Sequence, residues 1–312
     1  MQYRVYGLTL SSTLPFPELT PIGSRRAALT FRVAANRFDA HGWRSGPSRP
    51  GANGKPWLTV ATREGAYALR FPDRADFVLL ADGRSLVGYR GRRTALGVFR
   101  HLFLDQVLPL VLSHGGVTVL HASAFAGEEG AVALIGATGV GKSTLAASFG
   151  TDGWPVIADD AVVLRARRGA IATIPAYPGL RVWPDALAAF GIGRGARRVS
   201  SASDKRRIAA GDRAVTFFRR SAPLRRVYLL DSKRSGRSTL PRIEPLSRRE
   251  TIIELIKHSY VMDVTDRAHL VEHLDRLTRE CAPLGVRRIT YPRRFAALPA
   301  VRAAILADLK SD

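Results

Sequence analysis

The chain has 312 residues, 46% of them apolar, which is enough for a real core in one large domain or two modest ones and excludes wholesale disorder. Its single cysteine, Cys281, excludes an intrachain disulfide framework and fits a reducing cytoplasm. The net charge is +22, but the arginines are scattered in pairs such as Arg25-Arg26, Arg197-Arg198 and Arg219-Arg220, without zinc-finger spacing, a helix-turn-helix pattern or an aromatic-interleaved stripe.

That charge pattern implies a solvated basic surface suited to ATP and to an acidic protein or peptide, rather than to specific nucleic-acid binding. Residues 1–94 read as a β-rich accessory domain. Its expected strands are Tyr3–Leu10, Ala28–Val33, Trp57–Ala61, Ala66–Phe71 and Phe77–Leu80, with turn clusters such as residues 46–51 between them. The N-terminus has no basic segment followed by an apolar run, so no signal peptide is expected. Leu96–Ser113 reads as an amphipathic helix opening a second domain, 95–312. Its apolar stretch Val98–Leu112 is interrupted by Arg100, His101 and Asp105 and reads as too short to span a bilayer, so no membrane association is expected.

From Gly115 the expected pattern is a strand (Val117–Ala124), a hairpin turn (Gly127–Gly130) and a short apolar strand (Ala131–Ile135). A glycine-rich loop, a helix (Thr144–Phe149) and a strand (Pro155–Ala158) follow. A β-rich stretch leads to Trp183 and a short helix, Pro184–Phe190, with proline in its first turn. Residues 191–213 are rich in Gly, Ser and Arg and read as a long mobile loop. A strand, Arg226–Leu230, precedes a polar loop at 232–238. The remainder reads as mainly helical: Ser247–His258, Ala268–Cys281 and Pro299–Leu309.

The loop carries the chemistry. Gly136, Ala137, Thr138, Gly139, Val140, Gly141, Lys142 and Ser143 fit G-x-x-x-x-G-K-[ST], the phosphate-binding P-loop, and Thr144 continues it into the helix. Successive backbone N–H groups in such a loop converge on phosphate oxygens, and the helix N-terminus behind them favours negative charge. Lys142 would meet the β- and γ-phosphates and Ser143 a Mg²⁺ ion. Asp159 and Asp160 fall 17 and 18 positions after Lys142, at the end of the next strand, on the phosphate side of the sheet. One carboxylate can take a proton while the other helps hold Mg²⁺. His121 lies one hairpin before the loop, where it could bind phosphate, tune the carboxylates or simply be a buried histidine. Arg181 could stabilise charge on a transferring phosphoryl group or make a surface ion pair. Lys205, Arg206 and Arg207 could close over substrate or remain solvated.

The pattern His121-Ala-Ser, hairpin, Gly136–Ser143 and Ala158-Asp159-Asp160 resembles the HPr serine kinase family. Pro178–Asp185, Asp204-Lys205-Arg206, Tyr6-Gly7-Leu8 and Leu14–Leu19 are similar to the HPr-kinase-related proteins of peptide-modification gene clusters, including lasso-peptide clusters. The resemblance implies an α/β fold, a P-loop kinase domain of the HPr kinase type with a β-rich N-terminal domain and a helical C-terminal region. It implies ATP- and Mg²⁺-dependent transfer of a γ-phosphoryl group to a serine of a peptide or protein. Asp159 would then be the general base and Asp160 its partner near Mg²⁺ with Ser143; His121 and Arg181 would support the site. The chain departs from the bifunctional enzymes in having Gly179 where their Glu-x-Arg motif has glutamate, so that metal role would be missing or taken by Asp185, and phosphorylase activity and HPr itself are not carried over. A small-molecule alcohol kinase, a non-catalytic nucleotide-binding regulator and a homo-oligomeric assembly stay open.

Overall fold

The computed structural model describes residues 1–51, 54–128, 130–167, 169–193, 195–200, 203–209, 214–231 and 240–311. The chain divides into two compact units, residues 1–117 with 260–272, and residues 118–259 with 273–312. The helix expected to open the second domain therefore belongs to the first unit, together with a later segment of the chain.

The first unit is built on a nine-stranded sheet. Its strands are β1 (Gln2–Val5), β2 (Leu8–Ser12), β3 (Thr20–Pro21), β4 (Leu29–Val33), β5 (Arg44–Pro50), β6 (Pro56–Arg63), β7 (Ala66–Phe71), β8 (Ala75–Leu79) and β9 (Ser85–Arg90), in the order β3-β1-β2-β4-β9-β8-β7-β6-β5. The expected single strand Tyr3–Leu10 is instead a hairpin, because Tyr6 and Gly7 both take positive φ (51° and 74°) and reverse the chain. The expected turn cluster at 46–51 falls largely within strand β5. It lies at the sheet edge, where Pro47 and Pro50 remove no N–H that a further strand would need.

Helix α1 (Leu96–Leu102), a π-helical turn (Phe103–Val107) and α2 (Leu108–His114) run on as one 19-residue helix. It is longer than the expected apolar stretch and, by length and composition, could cross a membrane. Most of that stretch is buried within the first unit. Phe103 stacks on Phe31 (centroids 3.9 Å apart) and Phe99 on Phe77 (4.9 Å). The buried Asp105 is held one turn from His101, which keeps a carboxylate tolerable in this apolar helix.

The second unit begins with β10 (Thr118–Leu120), β11 (Ala122–Gly127), β12 (Gly130–Ile135), α3 (Lys142–Thr151) and β13 (Val156–Ala158). Then come β14 (Val162–Arg167), β15 (Ala170–Ile174), β16 (Gly179–Val182), α4 (Pro184–Phe190), β17 (Arg197–Ser200), β18 (Ser203–Ala209) and β19 (Ala222–Asp231). The last elements of the chain are β20 (Arg242–Pro245), α5 (Arg248–Lys257), α6 (Arg267–Arg276), whose residues up to Glu272 belong to the first unit, β21 (Val286–Thr290) and α7 (Leu298–Lys310). The main sheet runs β10-β14-β15-β19-β12-β11-β13, and β21 lies parallel to β19 with β20 beside it. Side chains alternate across β12. Val132 and Leu134 pack with Leu145 and Phe149 of α3, while Ala131, Ala133 and Ile135 enter the core on the opposite face.

Two expectations for this unit are corrected. Residues 191–213 carry strands β17 and β18, which form a separate three-stranded sheet with β16 in the order β16-β18-β17; residues 194, 201–202 and 210–213 of that span lie outside the described residues. The C-terminal region is not helical alone, since β20 and β21 add to the main sheet. The expected loop at 232–238 also lies outside the described residues. Helix α5 starts at a capping box, Ser247 with Glu250.

A buried histidine makes this unit sensitive to acid. Arg276 donates to Nδ1 of His273 (3.2 Å), which places the ring proton on Nε2, 2.7 Å from the Ser259 hydroxyl. Burial, aided by Arg276, pushes the imidazole down to about 4. The unfolded chain therefore binds the extra proton first as pH falls, so stability held above pH 6.5 is lost between about 6.5 and 4. The unfolding midpoint should drop across that window, and His273→Gln should flatten the drop.

Candidate functional site

Three consecutive strands bring the candidate residues to one sheet edge. β11 pairs antiparallel with both β12 and β13, so the latter two run in the same direction with their ends at the start of β11. The end of β12 delivers the P-loop, the end of β13 delivers Asp159 and Asp160, and the start of β11 delivers His121 and Ser123. His121 does not continue a single strand from 117 to 124. It sits at the break between β10 and β11, where its backbone N–H donates to the carbonyl of His258 (2.6 Å).

The P-loop has the backbone its sequence requires. Gly136 has φ 145°, and a Cβ there would lie 2.9 Å from the Leu230 carbonyl oxygen; Gly141, the cap of α3, has φ 112°. Ala137, Thr138 and Gly139 form the exposed rim, Val140 is anchored in the core, and Gly141, Ser143 and Thr144 are half-buried. The buried Lys142 ammonium donates to the carbonyls of Gly136 (2.7 Å) and Ala137 (3.3 Å). Burial pushes it down to about 8, opposed by Asp159 and reinforced by Lys205.

Asp159 joins the parts. Its Oδ1 accepts from the hydroxyls of Ser123 (2.6 Å) and Ser143 (2.8 Å), and its Oδ2 accepts from the backbone N–H of Arg181 (2.9 Å). Three of the roughly four acceptor positions of this buried carboxylate are thus filled. Asp160 takes a left-handed backbone, φ 63°, which is costly for a non-glycine residue, and its carboxylate is paired with the Arg181 guanidinium. The Asp160 carbonyl lies 3.0 Å from His121 Nδ1. Burial, followed by Lys142, pushes the imidazole down to about 3, so it is neutral near pH 7 and Nδ1–H donates to that carbonyl. The neutral His121 ring is thus bonded to the backbone of the strained aspartate. Arg181 is buried and engages both aspartates, which removes the surface ion pair from its readings.

The structure adds residues that the sequence did not single out. Ser123 was readable only as the third residue of His121-Ala-Ser, on the same strand face as the histidine. Tyr291 approaches Gly141, and Arg293 donates to the Gly139 carbonyl. Neither carries a local signal, because the segment after β21 that holds them lies about 150 positions from the loop.

Ser143 Oγ and Asp159 Oδ1, 2.8 Å apart, form the oxygen pair expected beside Mg²⁺ in a P-loop site. Among the described residues, no cluster of three or more His, Cys, Asp or Glu side chains could hold a metal ion by itself. Such a donor set fits Mg²⁺, which takes one or two protein oxygens and completes its shell with phosphates and water.

No protein-family model matches the chain, and no curated protein matches it either. Among solved structures, it is similar to the HPr(Ser) kinase/phosphatase from Coxiella burnetii, at 13% identity and a TM-score of 0.32, over 61% of this chain and 97% of that one.

Proposed function

We propose that the chain is an ATP-dependent serine kinase of the HPr kinase type, acting on a peptide or protein. The carrying observation is the Ser143–Asp159 hydrogen bond, which locks the phosphate loop to the carboxylate pair. Mg²⁺, when bound, neutralises phosphate charge beside Ser143. The P-loop and Lys142 bind the β- and γ-phosphates. The bond from the γ-phosphorus to the bridging oxygen breaks as the acceptor oxygen bonds to that phosphorus, and ADP leaves. A carboxylate of the pair takes the hydroxyl proton.

The hydrogen-bond pattern supports a division of labour opposite to that implied by the resemblance. Asp159, already bonded to Ser143, serves the metal side, and Asp160 serves the acceptor. The acceptor we propose is a serine of a ribosomal peptide natural-product precursor of the lasso type. The similarity of Pro178–Asp185 to kinases of such clusters and the charge of +22 support this choice. A cytoplasmic location and a homo-oligomeric assembly belong to the same proposal.

The test is mass spectrometry of candidate precursor peptides, and of HPr, after incubation with the protein, Mg²⁺ and ATP. A phosphate added to a peptide serine, absent with Lys142→Ala, is the expected result. ATP binding without transfer to any peptide would redirect the reading to a small-molecule alcohol or a regulatory nucleotide binder.

A further inference from the structure

The small sheet formed by β16, β18 and β17 brings a second group of cations to the phosphate site. Arg181 pairs with Arg207 across β16 and β18, and Val182 with Arg206. Side chains alternate, so Leu180, Val182 and Ile208 face the core, while Arg181, Lys205 and Arg207 share the opposite face. Two of these cations rest on aromatic rings. The Arg207 guanidinium lies 4.5 Å from the Tyr177 ring centroid, and Lys205 Nζ lies 5.8 Å from that of Trp183. Arg181 ties this face to the site through its N–H on Asp159 and its guanidinium on Asp160.

Lys205, beside Arg181 on this face, adds to its charge at the phosphate site. Its ammonium interacts with Asp159 and Arg181, and it in turn lowers the proton affinity of Lys142. Lys142, Arg181 and Lys205 thus set three positive charges against the two carboxylates of Asp159 and Asp160. A partly desolvated cluster of cations favours an incoming anion. Lys142 belongs to the P-loop and Lys205 to β18, so the two ammonium groups stand on different elements and can address different phosphates of one chain.

Resting on the kinase reading, we propose that Lys205 binds the terminal phosphate of a nucleoside triphosphate, with Trp183 fixing its ammonium, and stays on that group as it passes to the acceptor. The γ-phosphate is the group that exchanges its bridging oxygen for the acceptor oxygen on transfer and that a diphosphate lacks. Lys205 therefore sets the preference for triphosphate over diphosphate, whereas Lys142 supports both.

The test compares the affinities of the unaltered chain, Lys205→Met and Lys205→Arg for the β,γ-imido analogue of ATP and for ADP, each with Mg²⁺. One charged hydrogen bond corresponds to roughly a tenfold or greater effect on binding. Lys205→Met should lose about that factor for the analogue with ADP unchanged, and Lys205→Arg should recover most of it. Trp183→Leu should move the ratio in the same direction by a smaller factor. Equal losses for both nucleotides, or no change in either, would overturn the assignment of Lys205 while leaving the kinase reading intact. Failure of the unaltered chain to bind either nucleotide would overturn both.

Discussion

Lys142→Met should abolish phosphoryl transfer and weaken Mg²⁺-nucleotide binding by about a hundredfold, while raising the melting temperature of the free protein. The loss follows from removing a buried charge-assisted contact to phosphate, worth roughly 1.5–3 kcal/mol. The gain follows from the same burial. The ammonium is pushed down to about 8 from an ordinary value of 10.5, so folding at pH 7 works against a charge that water would solvate better. A basic group lowered in the folded state carries its full penalty below the folded value, and the penalty fades as pH rises to the unfolded one. At pH 7 that penalty is on the order of 3 kcal/mol, and methionine keeps the stem without it. Isothermal titration with ATP analogue and thermal unfolding at pH 7 and pH 10 check both halves. The stabilisation should be large at pH 7 and small at pH 10. A variant that loses affinity and also melts lower would mean that the carbonyls of Gly136 and Ala137 need the ammonium for the loop to hold its shape.

Local chemistry was legible in the sequence, and long-range chemistry was not. The P-loop reads directly because its glycines and its Lys-Ser pair are contiguous and its flanking strand is a plain apolar run. The Asp159-Asp160 pair reads because one helix and one strand fix its offset from the loop. Strands β17 and β18 were hidden, since Arg198, Asp204 and Arg206 are exposed and the other face of β18 carries Lys205 and Arg207, which pack on Trp183 and Tyr177. Strand β21 was hidden for a related reason. Only Val286 and Ile289 are apolar, and its arginines are neutralised by partners elsewhere, Arg287 by Asp308 and Arg288 by Asp231. The 260–272 segment of the first unit depends on contacts such as the Arg49 guanidinium on the Val261 carbonyl, which no window of sequence contains. The order of roles proposed for the aspartate pair was equally out of reach, because the proposal turns on which carboxylate the Ser143 hydroxyl meets.

That order yields the second large effect. Asp160→Asn should reduce transfer by about a hundredfold or more, the scale of a lost general base, and leave nucleotide affinity within about twofold. Asp159→Asn should reduce both, because the amide cannot reproduce all three of its hydrogen bonds. With its oxygen toward the Ser123 and Ser143 hydroxyls, its NH₂ group faces the Arg181 N–H, two donors opposed in a buried site. The alternative orientation turns NH₂ toward the hydroxyls and disturbs the P-loop serine directly. Asp160→Gly separates chemistry from backbone strain. Glycine accepts φ 63° freely, so this variant should lose transfer as completely as Asp160→Asn without the instability that an alanine would bring to the same backbone. Single-turnover transfer rates, nucleotide affinities and melting temperatures of the three variants decide the matter. If Asp160→Asn transfers at the unaltered rate and Asp159→Asn alone is dead with normal nucleotide affinity, the proton goes to Asp159, and the Ser143 hydrogen bond marks the base and not the metal side.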